Sequence, residues 1–156
     1  MSVENQFQGV ISKMSGLLDA LCSSPGLTRE ALNDVPERGI YVLYEQNVPM
    51  YVGRSNRLKK RLHEHSRPSS GHTSATFAFL LAYKQGEKEG LRFESTTRSN
   101  IENDPQFSRI FLAAKERVSR MTIRVVPISD PIERTIFEVY AVLALSTTEY
   151  NKFENH

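Results

Sequence analysis

Gly39-Ile40-Tyr41-Val42-Leu43-Tyr44-Glu45-Gln46-Asn47-Val48-Pro49-Met50-Tyr51-Val52-Gly53 is the stretch on which the fold turns. Gly39 to Glu45 is a nearly continuous run of β-branched, aromatic and aliphatic residues, and Met50 to Gly53 is another. Two such runs around Gln46-Asn47-Val48 predict a β-hairpin. Side chains alternate along a strand, so Gly39, Tyr41 and Leu43 share one face and Ile40, Val42 and Tyr44 the other. A turn centred near Gln46 and Asn47 makes Tyr41 and Tyr51 near neighbours across the pair.

Downstream, Asn56 to His65 reads as a helix. Leu58 and Leu62 form its apolar pair, and Arg57, Arg61 and His65 a polar line at spacings of four. Arg67 to Gly71 is a loop, and Thr73 to Lys84 a richly apolar helix. Gln85 to Asn103 is polar, carries two glycines and shows weak periodicity, which predicts a mobile excursion. Asp104-Pro105 opens a helix with an N-cap and a proline at the first position, burying Phe107, Ile110, Phe111, Ala114 and Val118. Met121 to Ile128 reads as a strand. Asp130-Pro131-Ile132-Glu133 repeats the cap, with a glutamate three residues on, and starts a helix ending about Leu145. Upstream, Phe7, Val10, Ile11, Met14, Leu17, Leu18 and Leu21 fall at helical spacing, so residues 3–22 read as one amphipathic helix stopped by Ser23-Ser24-Pro25-Gly26. Thr28 to Leu32 reads as a second, short helix.

A chain of 156 residues has room for one substantial core, so 1–156 is read as a single domain, with 1–35 a helical extension and 67–120 an insertion. With 39% hydrophobic and 24% charged residues, neither a fibrous nor a wholly disordered chain is expected. The longest apolar run, Ala75 to Tyr83, is interrupted by Thr76 and too short to cross a bilayer. Glu4 sits where an export signal carries basic residues. Cys22 is the only cysteine, which excludes an internal disulfide and a cysteine-built zinc site; a reducing, cytoplasmic setting is the expectation. Charge is unevenly spread. Arg54, Arg57, Lys59, Lys60, Arg61 and Arg67 face only Glu64 between residues 54 and 68, a net +5 in a chain of net +2. A basic segment on a mildly acidic body is the footprint of a polyanion binder, or else a solvated helix face.

The last helix holds one residue that does not fit. From Ile136 to Leu145 every residue is apolar or aromatic except Glu138. Such a helix is expected to be buried. A carboxylate there must be paired, protonated or holding a metal. A salt bridge to Arg134, one turn earlier, is the alternative.

Gly39-Ile40-Tyr41 and Tyr51-Val52-Gly53, nine residues apart, resemble the signature of the GIY-YIG nucleases. The resemblance continues with a basic helix, an arginine eight residues after the second glycine (Arg61) and a histidine one turn later (His65). A late helix with one glutamate (Glu138) and an asparagine beyond it (Asn151) complete the pattern. It covers about residues 36–66 and 121–152. The histidine is closer to homing and restriction-type members than to the excision-repair type. The resemblance implies a small α/β fold, with a three-stranded, mostly antiparallel sheet (about 39–45, 49–53 and 121–128) flanked by helices.

It also implies a metal-dependent DNA endonuclease that leaves a 5′-phosphate and a 3′-hydroxyl. Tyr41, Tyr51, Arg61, His65 and Glu138 are the expected catalytic set. Arg61 offers a phosphate a planar, permanently charged fork. Glu138 would hold one Mg²⁺ or Mn²⁺. The base is Tyr41 assisted by His65, or His65 itself. Arg54, Arg57, Lys59 and Lys60 are expected to contact DNA backbone only. Gly39, Gly53 and Asn151 support the geometry. The substrate is DNA, double-stranded or branched, with targeting by residues 67–103, a homodimer or a protein partner. The competing reading is a nucleic-acid-binding module of the same fold that does not cut.

Overall fold

The computed structural model describes residues 1–93 and 96–154, so Glu94 and Ser95 of the polar excursion lie outside the described residues. The elements are α1 (Val3–Ile11), α2 (Met14–Ser23), β1 (Gly39–Glu45), β2 (Val48–Ser55), α3 (Leu58–Glu64), α4 (Thr76–Lys88), α5 (Arg98–Glu102), α6 (Pro105–Ser119), β3 (Thr122–Pro127) and α7 (Pro131–Leu145). They divide into two compact units, residues 1–59 with 122–156, and residues 60–121. No described helix is long and apolar enough to cross a membrane.

The first unit is built on a sheet of order β2-β1-β3, antiparallel throughout, which confirms the expected α/β fold. The hairpin forms where the sequence places it. Gln46 and Asn47 both take positive φ, 50° and 66°, as a two-residue turn between right-twisted strands demands. The register then slips by one residue between Leu43 and Tyr44. Tyr41 consequently lies opposite Gly53 and Tyr51 opposite Leu43. The two phenols are therefore diagonal neighbours on one face, not a directly opposed pair. Ile40, Val42, Val52 and Val126 occupy the other face and bury against Met14 and Leu21 of α2 and Phe137, Ala141 and Val142 of α7.

Both sheet edges are closed by single residues from distant parts of the chain. On β3, Leu27 exchanges both backbone hydrogen bonds with Ile123, at 2.7 and 2.8 Å. On β2, the buried amide of Asn151 accepts from Val52 N–H (2.9 Å) and donates to Val52 C=O (2.7 Å), as a neighbouring strand would.

Three expectations for this unit need correction. The helix over 3–22 is two helices, because Ser12 Oγ bonds back to Gly9 C=O and the Lys13 N–H turns tightly to Val10 C=O. Residues 28–32 form turns, not a helix: five residues seldom outweigh the cost of nucleation, and Leu27 is committed to the sheet. Finally, α7 is not buried all round, since Ile132, Val139 and Leu143 are exposed. Its Asp130 cap is as predicted, accepting from Ile132 and Glu133 N–H.

In the second unit, Asp104 caps α6 as expected, and Phe107, Phe111, Ala114 and Val118 are buried. Phe79 of α4 meets Phe107 at 5.3 Å and Phe111 edge-on at 5.7 Å, while Phe93 adds an edge-on contact to Phe107. The polar stretch 85–103 is not a plain excursion. Its start completes α4, and α5 forms behind a Thr97 cap that buries Ile101.

Two substitutions test the sheet. A Cβ on Gly53 would lie 2.1 Å from Tyr41 Cζ, so Gly53→Ala should cost about 1–3 kcal/mol, relieved in part by Tyr41→Leu. Asn151→Leu strands a buried N–H and C=O on Val52 and should cost roughly 2–4 kcal/mol. Urea denaturation measures both; an unchanged midpoint in Asn151→Leu would remove Asn151 from the closing of β2.

Candidate active site

In the first unit the geometry follows from β2 and α7 packing together. Tyr41 is buried, 1% exposed, with its ring across the Cα of Gly53. That close approach is why a glycine stands third in the second triplet. Gly39 is required for a similar reason, since a Cβ there would meet Val126 C=O at 2.1 Å. Tyr51 is half-buried. Arg54, Arg57 and Lys59 are exposed. Lys59 Nζ reaches Asn33 Oδ1 at 3.3 Å, and Ser55 Oγ accepts from the Arg57 N–H.

Glu138 is paired, but not with Arg134. Its Oε1 accepts from Arg54 Nε at 3.0 Å, with the Arg54 side chain 51% and the Glu138 side chain 15% exposed. Arg134 is buried and donates instead to the carbonyls of Ile128 and Ser129. Burial raises the Glu138 carboxyl above its usual range, and the Arg54 charge and hydrogen bond pull part of the way back. Arg54 was expected to touch only DNA backbone, yet it pairs with this acid and favours its charged form. Nothing in the sequence announces that partnership, which spans 84 positions.

In the second unit, Lys60 is exposed. Arg61 is mostly buried. Its Nη1 donates to Ser74 C=O at 2.5 Å and lies 3.7 Å from Glu64 Oε1. His65 is 1% exposed. Burial, and then the Arg61 charge, hold its pKa well below the ordinary 6.5, so the ring is neutral at neutral pH. The loop after it is fixed by charged side chains that the sequence reading gave no role. Lys115 Nζ donates to Pro68 C=O (2.6 Å) and Ser70 C=O (2.8 Å). Glu102 Oε2 meets His72 Nδ1 at 2.5 Å and accepts from the His72 N–H at 3.3 Å. A lysine on the apolar stripe of α6 was the available signal for the first of these.

Among the described residues no group of three or more His, Cys, Asp or Glu side chains gathers. A cage built from those side chains is therefore not present among them. Mg²⁺ rarely needs one, since it keeps several waters and uses one or two carboxylates plus substrate phosphate. Glu138 suits that arrangement: it is a hard oxygen donor with solvent access and already neutralises a cationic group.

The His65 environment makes a prediction about stability. Because the folded pKa lies below the unfolded one, the unfolded chain takes up the proton first. Stability is intact above about pH 6.5 and is lost as pH falls through that value, by at most about 1.4 kcal/mol per unit. Urea midpoints between pH 7.5 and 5.5 should fall more steeply for wild type than for His65→Gln. Equal slopes would show that the ring does not remain neutral.

A protein-family model described as the GIY-YIG catalytic domain matches residues 37–118. No curated protein and no solved structure matches the chain. The matched residues hold both triplets, Arg61 and His65, and take in the stretch from 67 that the resemblance alone left unexplained. Glu138 and Asn151 lie beyond them. With more than half of the 156 residues matched and the expected antiparallel sheet in place, the chain belongs to the GIY-YIG family of nucleases.

Proposed function

We propose that the protein is a metal-dependent DNA endonuclease that hydrolyses a phosphodiester to a 5′-phosphate and a 3′-hydroxyl. The observation that carries this reading is the family match over the two triplets and the basic helix. The histidine at 65 resembles the pattern of homing and restriction-type members and supports that subdivision.

The chain's own residues divide the work as follows. Arg61 presents remaining guanidinium donors to a phosphate oxygen, its orientation fixed by Ser74. His65, neutral by burial, or Tyr41, takes the proton of the attacking water. Tyr51, half-buried on the same sheet face as Tyr41, hydrogen-bonds to water or phosphate. Exposed Arg57, Lys59 and Lys60 neutralise backbone phosphates without reading sequence. Glu138 holds one Mg²⁺ or Mn²⁺, which when bound supplies Lewis-acid stabilisation of charge on phosphate and leaving oxygen.

Supercoiled plasmid, branched and single-stranded DNA incubated with Mg²⁺ or Mn²⁺ provide the test. Wild type should nick at least one substrate, and Glu138→Ala should be slower by about 10²-fold or more while retaining DNA binding. If wild type shifts every substrate in a gel and cuts none, the protein is a binding module of this fold.

A further inference from the structure

The ion pair between β2 and α7 does more than stabilise the fold. Resting on the reading above, we infer that Arg54 occupies the cation position on Glu138 until a divalent metal displaces it. The guanidinium and the metal then compete for one carboxylate.

Three observations lead there. The bond is single-point, Arg54 Nε to Glu138 Oε1 at 3.0 Å, not the bidentate fork that makes arginine–carboxylate pairs strong. The two partners are unequally buried, 51% against 15% exposed, so the arginine can leave toward solvent while the acid stays. And the acid is itself largely buried, at 15% exposed, where a charge left without a cationic neighbour is costly. A released Arg54 lies beside Arg57 and Lys59, on the exposed basic segment. There it meets the next available anion, a DNA phosphate. Linkage makes the exchange reciprocal: phosphate that draws Arg54 away raises metal affinity at Glu138, and metal at Glu138 frees Arg54 for phosphate. The device ties loading of the metal to the presence of substrate.

Mn²⁺ binding by calorimetry at pH 8, without DNA, tests the competition apart from cleavage. Arg54→Ala should bind Mn²⁺ about fivefold more tightly than wild type, the scale of breaking a half-exposed ion pair. Arg54→Lys, which keeps the charge, should fall between them, and Arg54→Ala with Glu138→Gln should lose the gain. Nitrogen-15 NMR of the Arg54 Nε–H gives a second readout. Its signal should shift in Glu138→Gln and shift likewise when wild type is saturated with Mg²⁺. Mn²⁺ affinity in Arg54→Ala no greater than in wild type, or an Nε–H signal that Mg²⁺ leaves unmoved, overturns the inference. Either result leaves the plasmid assay to judge the nuclease reading separately.

Discussion

Three strands leave two edges, and each edge strand offers outward backbone groups that water or another polar group must satisfy. In this protein Asn151 closes β2 at Val52, and Leu27 closes β3 at Ile123. The central strand β1 is thereby fixed between two partners that cannot slide, since slipping by one residue would turn Ile40 and Val42 out of the core. The positions of Tyr41, Tyr51 and Arg54 all follow from that register. The Asn151 contact also ties the segment that follows α7 to the second signature triplet, through Val52 at its centre.

Much of the frame was legible because it rests on local chemistry. The hairpin declared itself through two β-rich runs about Gln46 and Asn47, and the caps of α6 and α7 through Asp104-Pro105 and Asp130-Pro131. The failures share a cause, which is that tertiary contacts overrule period. An apolar stripe from Phe7 to Leu21 looks like one helix until Ser12, off the stripe, bonds to Gly9. A run such as Ile136 to Leu145 looks buried on every side, yet only part of its circumference meets the sheet and α2. Arg134 appeared to be the natural partner of Glu138 by spacing alone. It instead turns toward the carbonyls that precede its own helix, leaving the acid to β2.

The electrostatics of the two units differ in kind. Glu138 is a partly desolvated acid whose charged form is favoured by a half-exposed arginine. His65 is a desolvated base whose charge is suppressed by burial and by a neighbour of the same sign as its protonated form. Burial disfavours the charged form of both groups; at Glu138 the Arg54 charge opposes that effect, whereas at His65 the Arg61 charge reinforces it. The family explains which residue types stand at these positions. The packing around them explains their state.

The loop between α3 and α4 is gripped mainly by its carbonyl oxygens, at Pro68 and Ser70 by Lys115 and at Ser74 by Arg61. Such a grip is blind to side-chain identity, because every residue presents the same oxygen. The Glu102 contact to the His72 ring, by contrast, reads a particular amino acid. Mutations can therefore accumulate at Ser69 and Thr73, whose side chains point to solvent, without disturbing the path of the chain. A surface that keeps its shape while its lettering changes is well suited to acquiring new preferences over evolutionary time.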